Sequence, residues 1–325
     1  MEIARLLNIK LTSRKWNGER VAMCGFPIPH LDRYLKILVQ KEQRFVAMCE
    51  EFVRYDSNGI KEFERRISRI ITPGTLIDES FLNPFENNYL LAISVPSTVA
   101  SSELIGLAWI DVSTGEFFSK QCTFESIQDE LARLAPREIV LDNSMKQSKD
   151  HPLLSALKET KFLVSYGTAT LFDDSATTNT QSSSTPRIIS CKFIVGADTP
   201  ESDATTQTKT LQSRLASKLL CGPDTLPNQE AFAINLLTEF LKEHLLEHMP
   251  LLNAPCHEDV HDRMQIDAHT IQGLEIREAG LDGSAKGSLL SVVKRTLTSG
   301  GTRLLSRWLC KSKLCSWNES THVPP

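Results

Sequence analysis

The chain has 325 residues, 41% of them hydrophobic, and a formal net charge of −4, enough for two or three domains with cores of their own. No apolar run approaches the ~20 residues a membrane-crossing helix needs, and Met1-Glu2-Ile3-Ala4-Arg5 opens neither a signal peptide nor an Arg/Ser-rich transit stretch. Eight scattered cysteines lack the spacing of a disulfide scaffold and point to reduced thiols in an intracellular protein.

Residues 1–86 read as a small α/β unit. Arg14, Lys15 and Asn17 form a basic loop ahead of Gly18. Tyr34-Leu35 and Ile37-Leu38 lie on a helix, Phe45–Cys49 on a strand and Glu64–Thr72 on another, with charged and apolar residues alternating. Pro73-Gly74 then closes that strand, because Pro pre-sets φ and Gly accepts a positive one. A second unit begins near Asn88. Apolar, β-branched runs at Tyr89–Val95 and Leu104–Val112 lead through Ser113-Thr114-Gly115 to a strand at Glu116–Gln121. A helix near Glu125–Leu134, a strand at Glu138–Leu141, a helix near Pro152–Glu159 and a strand at Lys161–Ser165 follow. That βββαβαβ order predicts a mixed sheet of ribonuclease-H type.

Residues 173–210 are rich in Ser, Thr and Asp, with one short strand expected near Ile188–Val195, and read as an insertion or flexible linker. From Leu211 the pattern turns helical. Leu211, Leu215 and Leu219 recur every fourth residue, and Asn228 caps a helix that Pro250 stops. After a strand-like Met264–Asp267, a helix carries Ile271, Leu274 and Glu275. Ser288 caps Leu289–Leu297, Gly300-Gly301 breaks the chain, and Thr302–Cys310 resumes as a helix that buries Leu304 and Trp308.

Charge is uneven along this plan. Residues 1–70 carry 14 Lys+Arg against 9 Asp+Glu, and residues 286–325 carry 7 against 1, so the acid excess sits between them. Basic ends suit contact with phosphates, though solvated surface charge gives the same totals.

Two patterns suggest other chemistry. His257-Glu258-Asp259-Val260-His261 matches a His-Glu-x-x-His zinc site, which needs both imidazoles on one helical face. The pattern follows Pro250 and Pro255 and runs into a strand-like segment, so the helix is not expected. Asp111, Glu130 and Asp142 could form a two-metal nuclease site, but Asp111 has a turn reason to precede its hairpin and Glu130 reads as an ordinary helix-surface residue.

One set of ordered motifs is more specific. Gly18-Glu19, Met23-Cys24-Gly25-Phe26-Pro27, His30, Tyr34-Leu35, Val46-Ala47-Met48-Cys49-Glu50 and Arg69-Ile70-Ile71-Thr72-Pro73-Gly74-Thr75-Leu76-Ile77-Asp78-Glu79 resemble the mismatch-recognition domain of MutS-type DNA repair proteins. Trp109–Phe117 and Leu131–Glu138 resemble that family's connector. Ser288–Thr296 and Gly301–Leu309 are similar to the start of its helical core, in fungal mitochondrial homologues particularly.

The resemblance implies a mismatch-recognition α/β domain at 1–86 lacking its N-terminus and an RNase-H-like connector at 87–172. It also implies a connector remainder and linker at 173–210, the start of an all-helical core (lever) domain at 211–313 and an unmatched tail at 314–325. It implies binding of mismatched duplex DNA by Arg14, Lys15, Asn17, Arg65, Arg66 and Arg69, the competing reading being that Arg65 and Arg66 pair with Glu62 and Glu64 on a wet strand face. The family's Phe-x-Glu reader belongs upstream of Met1, and no Gly-x-x-x-x-Gly-Lys-Ser/Thr occurs. We therefore expect a truncated form that is not itself an enzyme, has no cofactor of its own (ATP and Mg²⁺ serve the full-length relatives), and has as partners DNA, a MutS-type dimer mate and downstream repair factors. A mitochondrial location follows from the fungal likeness, with the nucleus as the other compartment. An ATP-independent interaction module and an RNase-H-like nuclease are the alternatives.

Overall fold

The computed structural model describes residues 2–55, 61–78, 82–83, 85–96, 104–148, 151–158, 162–168, 228–250, 252–258, 264, 266–280 and 284–311. The expected Ile188–Val195 strand and the Leu211–Leu219 helix lie outside them. Two compact units emerge: Met1–Leu82 with Leu241–Met249, and Asn83–Phe240 with Pro250–Pro325.

In the first unit a short helix α1 (Glu2–Leu6) precedes an antiparallel hairpin of β1 (Leu11–Trp16) and β2 (Glu19–Cys24). Helix α2 (Leu31–Leu35) continues as a wide π-type turn over Lys36–Lys41. Strands β3 (Val46–Tyr55) and β4 (Lys61–Ile71) pair antiparallel as a second two-stranded sheet. Leu31, Leu35 and Val39, four residues apart, line one helical face and meet Val46, Met48, Ile71, Leu76 and Leu82 in a small core. The predicted turn is present: Thr72 N–H donates to Thr75 Oγ1 at 2.9 Å, and Thr75 N–H returns to the Thr72 carbonyl at 3.2 Å.

The basic stretch before Gly18 is a hairpin, not a loop. Asn17 and Gly18 both take positive φ, 46° and 86°, the signature of a type I′ turn whose twist matches its strands. An Asn-Gly pair between two short strands is itself a hairpin signal, and the sequence reading did not use it.

Among the described residues, the second unit is built on a six-stranded sheet ordered β10-β7-β6-β5-β8-β9. Here β5 (Tyr89–Ser94), β6 (Ile105–Asp111) and β7 (Glu116–Cys122) form an antiparallel meander. Strands β8 (Glu138–Asp142) and β9 (Leu163–Gly167) run parallel to β5, and β10 (Cys256–His257) runs parallel to β7. Helices α3 (Ile127–Leu134) and α4 (Pro152–Lys158) make the crossovers. Every residue of β5 and β6 is buried, which is why these central strands read as unbroken apolar runs. Trp109, Leu107, Leu91, Ile139, Leu131 and Leu153 lie at the heart of the core.

Helix α5 (Asn228–Leu245) packs closely on this sheet. A Cβ on Gly106 would fall 2.0 Å from the Gln229 carbonyl oxygen, and one on Gly167 would fall 3.3 Å from the Phe240 ring. Ser94 Oγ donates to Gln229 Oε1 at 2.7 Å. Two strand glycines thus seat this helix on the six-stranded sheet.

Among the described residues three helices follow: α6 (Ala268–Gly273), α7 (Leu289–Val293) and α8 (Ser299–Cys310). Met264 and Ile266-Asp267 are irregular; the strand is β10 instead. Ser288 caps α7 as expected, accepting from Ser291 N–H at 3.2 Å, but that helix ends at Val293. Gly300 and Gly301 begin α8 and do not interrupt it, since Thr298 Oγ1 accepts from Gly301 N–H at 3.1 Å. Arg303 and Arg307 on α8 and Lys311 just past its end meet acids of the unit: Arg303 lies 4.0 Å from Asp111, Arg307 3.5 Å from Glu116 and Lys311 2.7 Å from Glu258. Leu304 and Trp308, expected in the core, are consequently turned outward and exposed.

Candidate nucleic-acid interface

The end of the β1–β2 hairpin gathers Arg14, Lys15 and Asn17. Lys15 stands opposite Arg20, Arg14 opposite Val21, and Trp16 opposite Glu19. Opposed residues share a face and faces alternate along a strand, so Lys15 and Arg20 lie together on one face. Arg14, Trp16, Glu19 and Val21 share the other. All are exposed, Trp16 to 57%. Among the described residues Arg14, Lys15 and Arg20 have no ion-pair partner.

The three strand arginines are differently placed. Arg65 forms an ion pair with Glu51, its Nε donating to Oε1 at 2.9 Å. Arg66 stacks over Phe52 at 4.2 Å and comes within 4.0 Å of Glu247. Arg69, with 16% of its side chain exposed, binds Asp78 at 2.9 Å. The register sets opposite charges face to face, with Glu50 against Arg66, Glu51 against Arg65 and Glu62 against Arg54. Arg65 takes its partner from across the ladder, not from Glu62 or Glu64 beside it, because cross-strand neighbours share a face; the acids nearest Arg66 and Arg69 lie outside the two strands. Of the six candidate residues, the structure brings three together at an open tip and sets three on β4, each with an acid beside it.

In the second unit the candidate carboxylates are spent. Asp111 accepts from Asn88 N–H at 3.0 Å and from the Ser113 amide and hydroxyl at 3.1 and 2.6 Å. Asp142 caps the turn that follows it through Ser144 N–H at 2.9 Å. Glu130 is buried, a correction to its surface reading. It bridges Lys120 and Arg133, and Arg133 lies 5.3 Å from the Trp109 ring centre and 3.3 Å from Glu258. Burial alone would push the Glu130 carboxyl up; Arg133 and Lys120 outweigh it and hold it below the ordinary value. The surface reading failed because Lys120 reaches Glu130 from a neighbouring strand, a meeting only the packing creates; Arg133 is its neighbour one helical turn on.

His257 lies on β10 and not on a helix, with its Nδ1 2.8 Å from Oε1 of the fully buried Glu230, while Glu258 holds Lys311. His261 lies outside the described residues. The His-Glu-x-x-His geometry is therefore missing at its first two members, and among the described residues no group of three His, Cys, Asp or Glu could hold a metal. A cavity of about 270 Å³ lies beside α8, lined in part by Phe85, Arg137, Arg277, Leu290 and Arg303. Arg277 is turned onto the Ala132 and Arg133 carbonyls that end α3, and Arg137 pairs with Glu86.

A basic two-stranded arm, a mixed-sheet domain and a run of helices make up the described chain, and sequence comparison divides it into three domains. Residues 1–80 match MutS domain I, residues 88–253 match MutS domain II and residues 269–312 match MutS domain III. The chain belongs to the MutS family. It is 34% identical over 317 residues to DNA mismatch repair protein MutS of Cereibacter sphaeroides, covering 94% of this chain and 30% of that protein. It is 33% identical to the MutS protein of Ruegeria pomeroyi, over 94% of this chain and 31% of the relative, and 30% identical to that of Rickettsia canadensis, over 94% and 31%. The chain thus spans less than a third of the length of these relatives.

Proposed function

We propose that this chain binds duplex DNA in mismatch repair, with Arg14, Lys15 and Asn17 as its backbone-contacting tip. The observation that carries the reading is the exposed basic hairpin within a segment matching MutS domain I. Cationic tips position a protein on phosphates without reading sequence. Arg65, Arg66 and Arg69 contribute less to phosphate contact, since each already has an acid beside it. Anisotropy of a labelled duplex tests this: Arg14→Glu with Lys15→Glu abolishes binding, whereas wild-type affinity in that variant would exclude the tip.

The second domain reads as a ribonuclease-H-type connector, supported by its strand order and crossover helices. It works as a scaffold, because Asp111, Glu130 and Asp142 are each hydrogen-bonded within the fold. Magnesium-dependent cleavage lost in Asp111→Asn would overturn this. Without a phosphate-cradling Gly-x-x-x-x-Gly-Lys-Ser/Thr, the 325 residues alone turn over no ATP; ATPase activity in the purified chain would refute that. Dimer mate and repair factors belong to the same proposal, and light scattering of the chain alone and with candidate factors tests it. So does a mitochondrial location, which cell fractionation tests.

A further inference from the structure

The β1–β2 hairpin is built against its own stability. Lys15 and Arg20 stand directly opposite on one face, and like charges so placed repel. The same unit arranges β3 and β4 the other way, glutamate against arginine. On the opposite face Trp16 leaves 57% of its surface in water, although a buried indole would gain on the order of 2 kcal/mol or more. Both arrangements are costly alone, and both are relieved by a partner carrying negative charge and flat apolar surface.

The partner's chemistry follows from the inventory. From Arg14 to Arg20 the tip holds three cations, one acid at Glu19 and one aromatic ring. An apolar peptide offers nothing to the cations, whereas nucleic acid offers phosphates and π-faces together. Rigidity fits as well. The Asn17-Gly18 turn has both φ angles positive, so the strands twist as one ribbon, and a two-stranded ribbon can enter a DNA groove.

We infer that Arg20 and Trp16 complete a two-faced DNA grip: Lys15 and Arg20 clamp backbone phosphate on one face, and the Trp16 indole lies against bases on the other. This rests on the duplex-binding reading above. Arg20 adds a phosphate contact on the returning strand, and Trp16 adds contact that salt does not screen. A one-dimensional reading missed both because they come together only through the turn.

The experiment measures affinity of the full chain for a labelled homoduplex and a G·T heteroduplex across a salt series. Replacing Lys15→Gln and Arg20→Gln together flattens the slope of log affinity against log salt by about two, since each neutralised phosphate contributes about 0.9. Trp16→Ala weakens binding about tenfold at unchanged slope, in the range of base–aromatic stacking, and Trp16→Phe restores most of it. Both positions are exposed, so unchanged thermal midpoints show that the variants fold. Wild-type binding by Trp16→Ala and by Arg20→Gln, while Arg14→Glu with Lys15→Glu abolishes it, overturns this inference and leaves the duplex reading standing. A wild-type chain that binds no duplex overturns both. Affinity for polyglutamate equal to that for duplex identifies an acidic protein surface as the occupant and also overturns the inference.

Discussion

Charged residues gather in two places in this molecule, under opposite conditions. The β1–β2 hairpin holds Arg14, Lys15 and Arg20 in full solvent, with like charges opposed. The second unit buries Lys120, Glu130, Arg133, Glu258 and Lys311, each less than a tenth exposed, in one bonded cluster. In water, a charge costs little to hold and gains little from a neighbour. Inside the protein, removing one member strands the others without solvent. The exposed set is therefore free to serve a partner, and the buried set can serve only the fold.

Mutation of the buried set should give the largest effect. Glu130→Gln leaves Lys120 and Arg133 buried with a neutral partner and should destabilise the second unit by about 3–5 kcal/mol, read from chemical denaturation. Glu19→Gln on the hairpin should leave the unfolding curve in place. If the two variants unfold alike, the contrast between the regions is wrong.

Acid should separate them next. The Glu130 carboxyl sits below its ordinary value in the folded chain, against burial, because Arg133 and Lys120 hold it charged. A depressed folded value means stability that is complete above the unfolded glutamate range and is lost as pH falls through the folded one. An acid-unfolding midpoint that does not move between the wild type and Glu130→Gln would remove this group from the linkage. At the other extreme, burial pushes the Cys122 thiol up to about 12. That contribution disappears as pH rises past the unfolded thiol value, and Cys122→Ala should flatten the alkaline loss.

Smaller effects belong to the hairpin. Gly18→Ala forces a Cβ onto a φ of 86° and should cost about 1 kcal/mol locally, seen as faster amide exchange in β1 and β2 with the second unit unchanged. Smallest of all is Arg65→Ala, which breaks an exposed pair with Glu51 and should not shift the melting midpoint measurably. A clear loss there would mean that the β3–β4 ladder depends on that pair.

Much of this was legible in one dimension. The meander, its crossover helices and β9 follow from apolar runs and turn residues, because a strand buried on both faces has to be apolar throughout. Ser288 as a cap and Pro73-Gly74 as a turn were legible for the same local reason: a nearby backbone group is the partner. Less legible was which way α8 faces. Its sequence allows Leu304 and Trp308 as the buried stripe, yet Arg303, Arg307 and Lys311 meet Asp111, Glu116 and Glu258 and turn the apolar pair outward. Two of the strand arginines are a similar case, since Arg65 finds its acid 14 residues back at Glu51 and Arg66 approaches the distant Glu247.

The order of motifs determined the family, the mixed α/β and helical content, and the candidate basic stretch, because these depend on local pattern and on residues close along the chain. Only the tertiary structure decided which charges are spent and which remain available. That decision depends on register and burial: Glu51 reaches Arg65 and Glu130 reaches Lys120 across strands and helices, whereas the tight Asn17-Gly18 turn sets Arg20 beside Lys15 and leaves Glu19 on the other face.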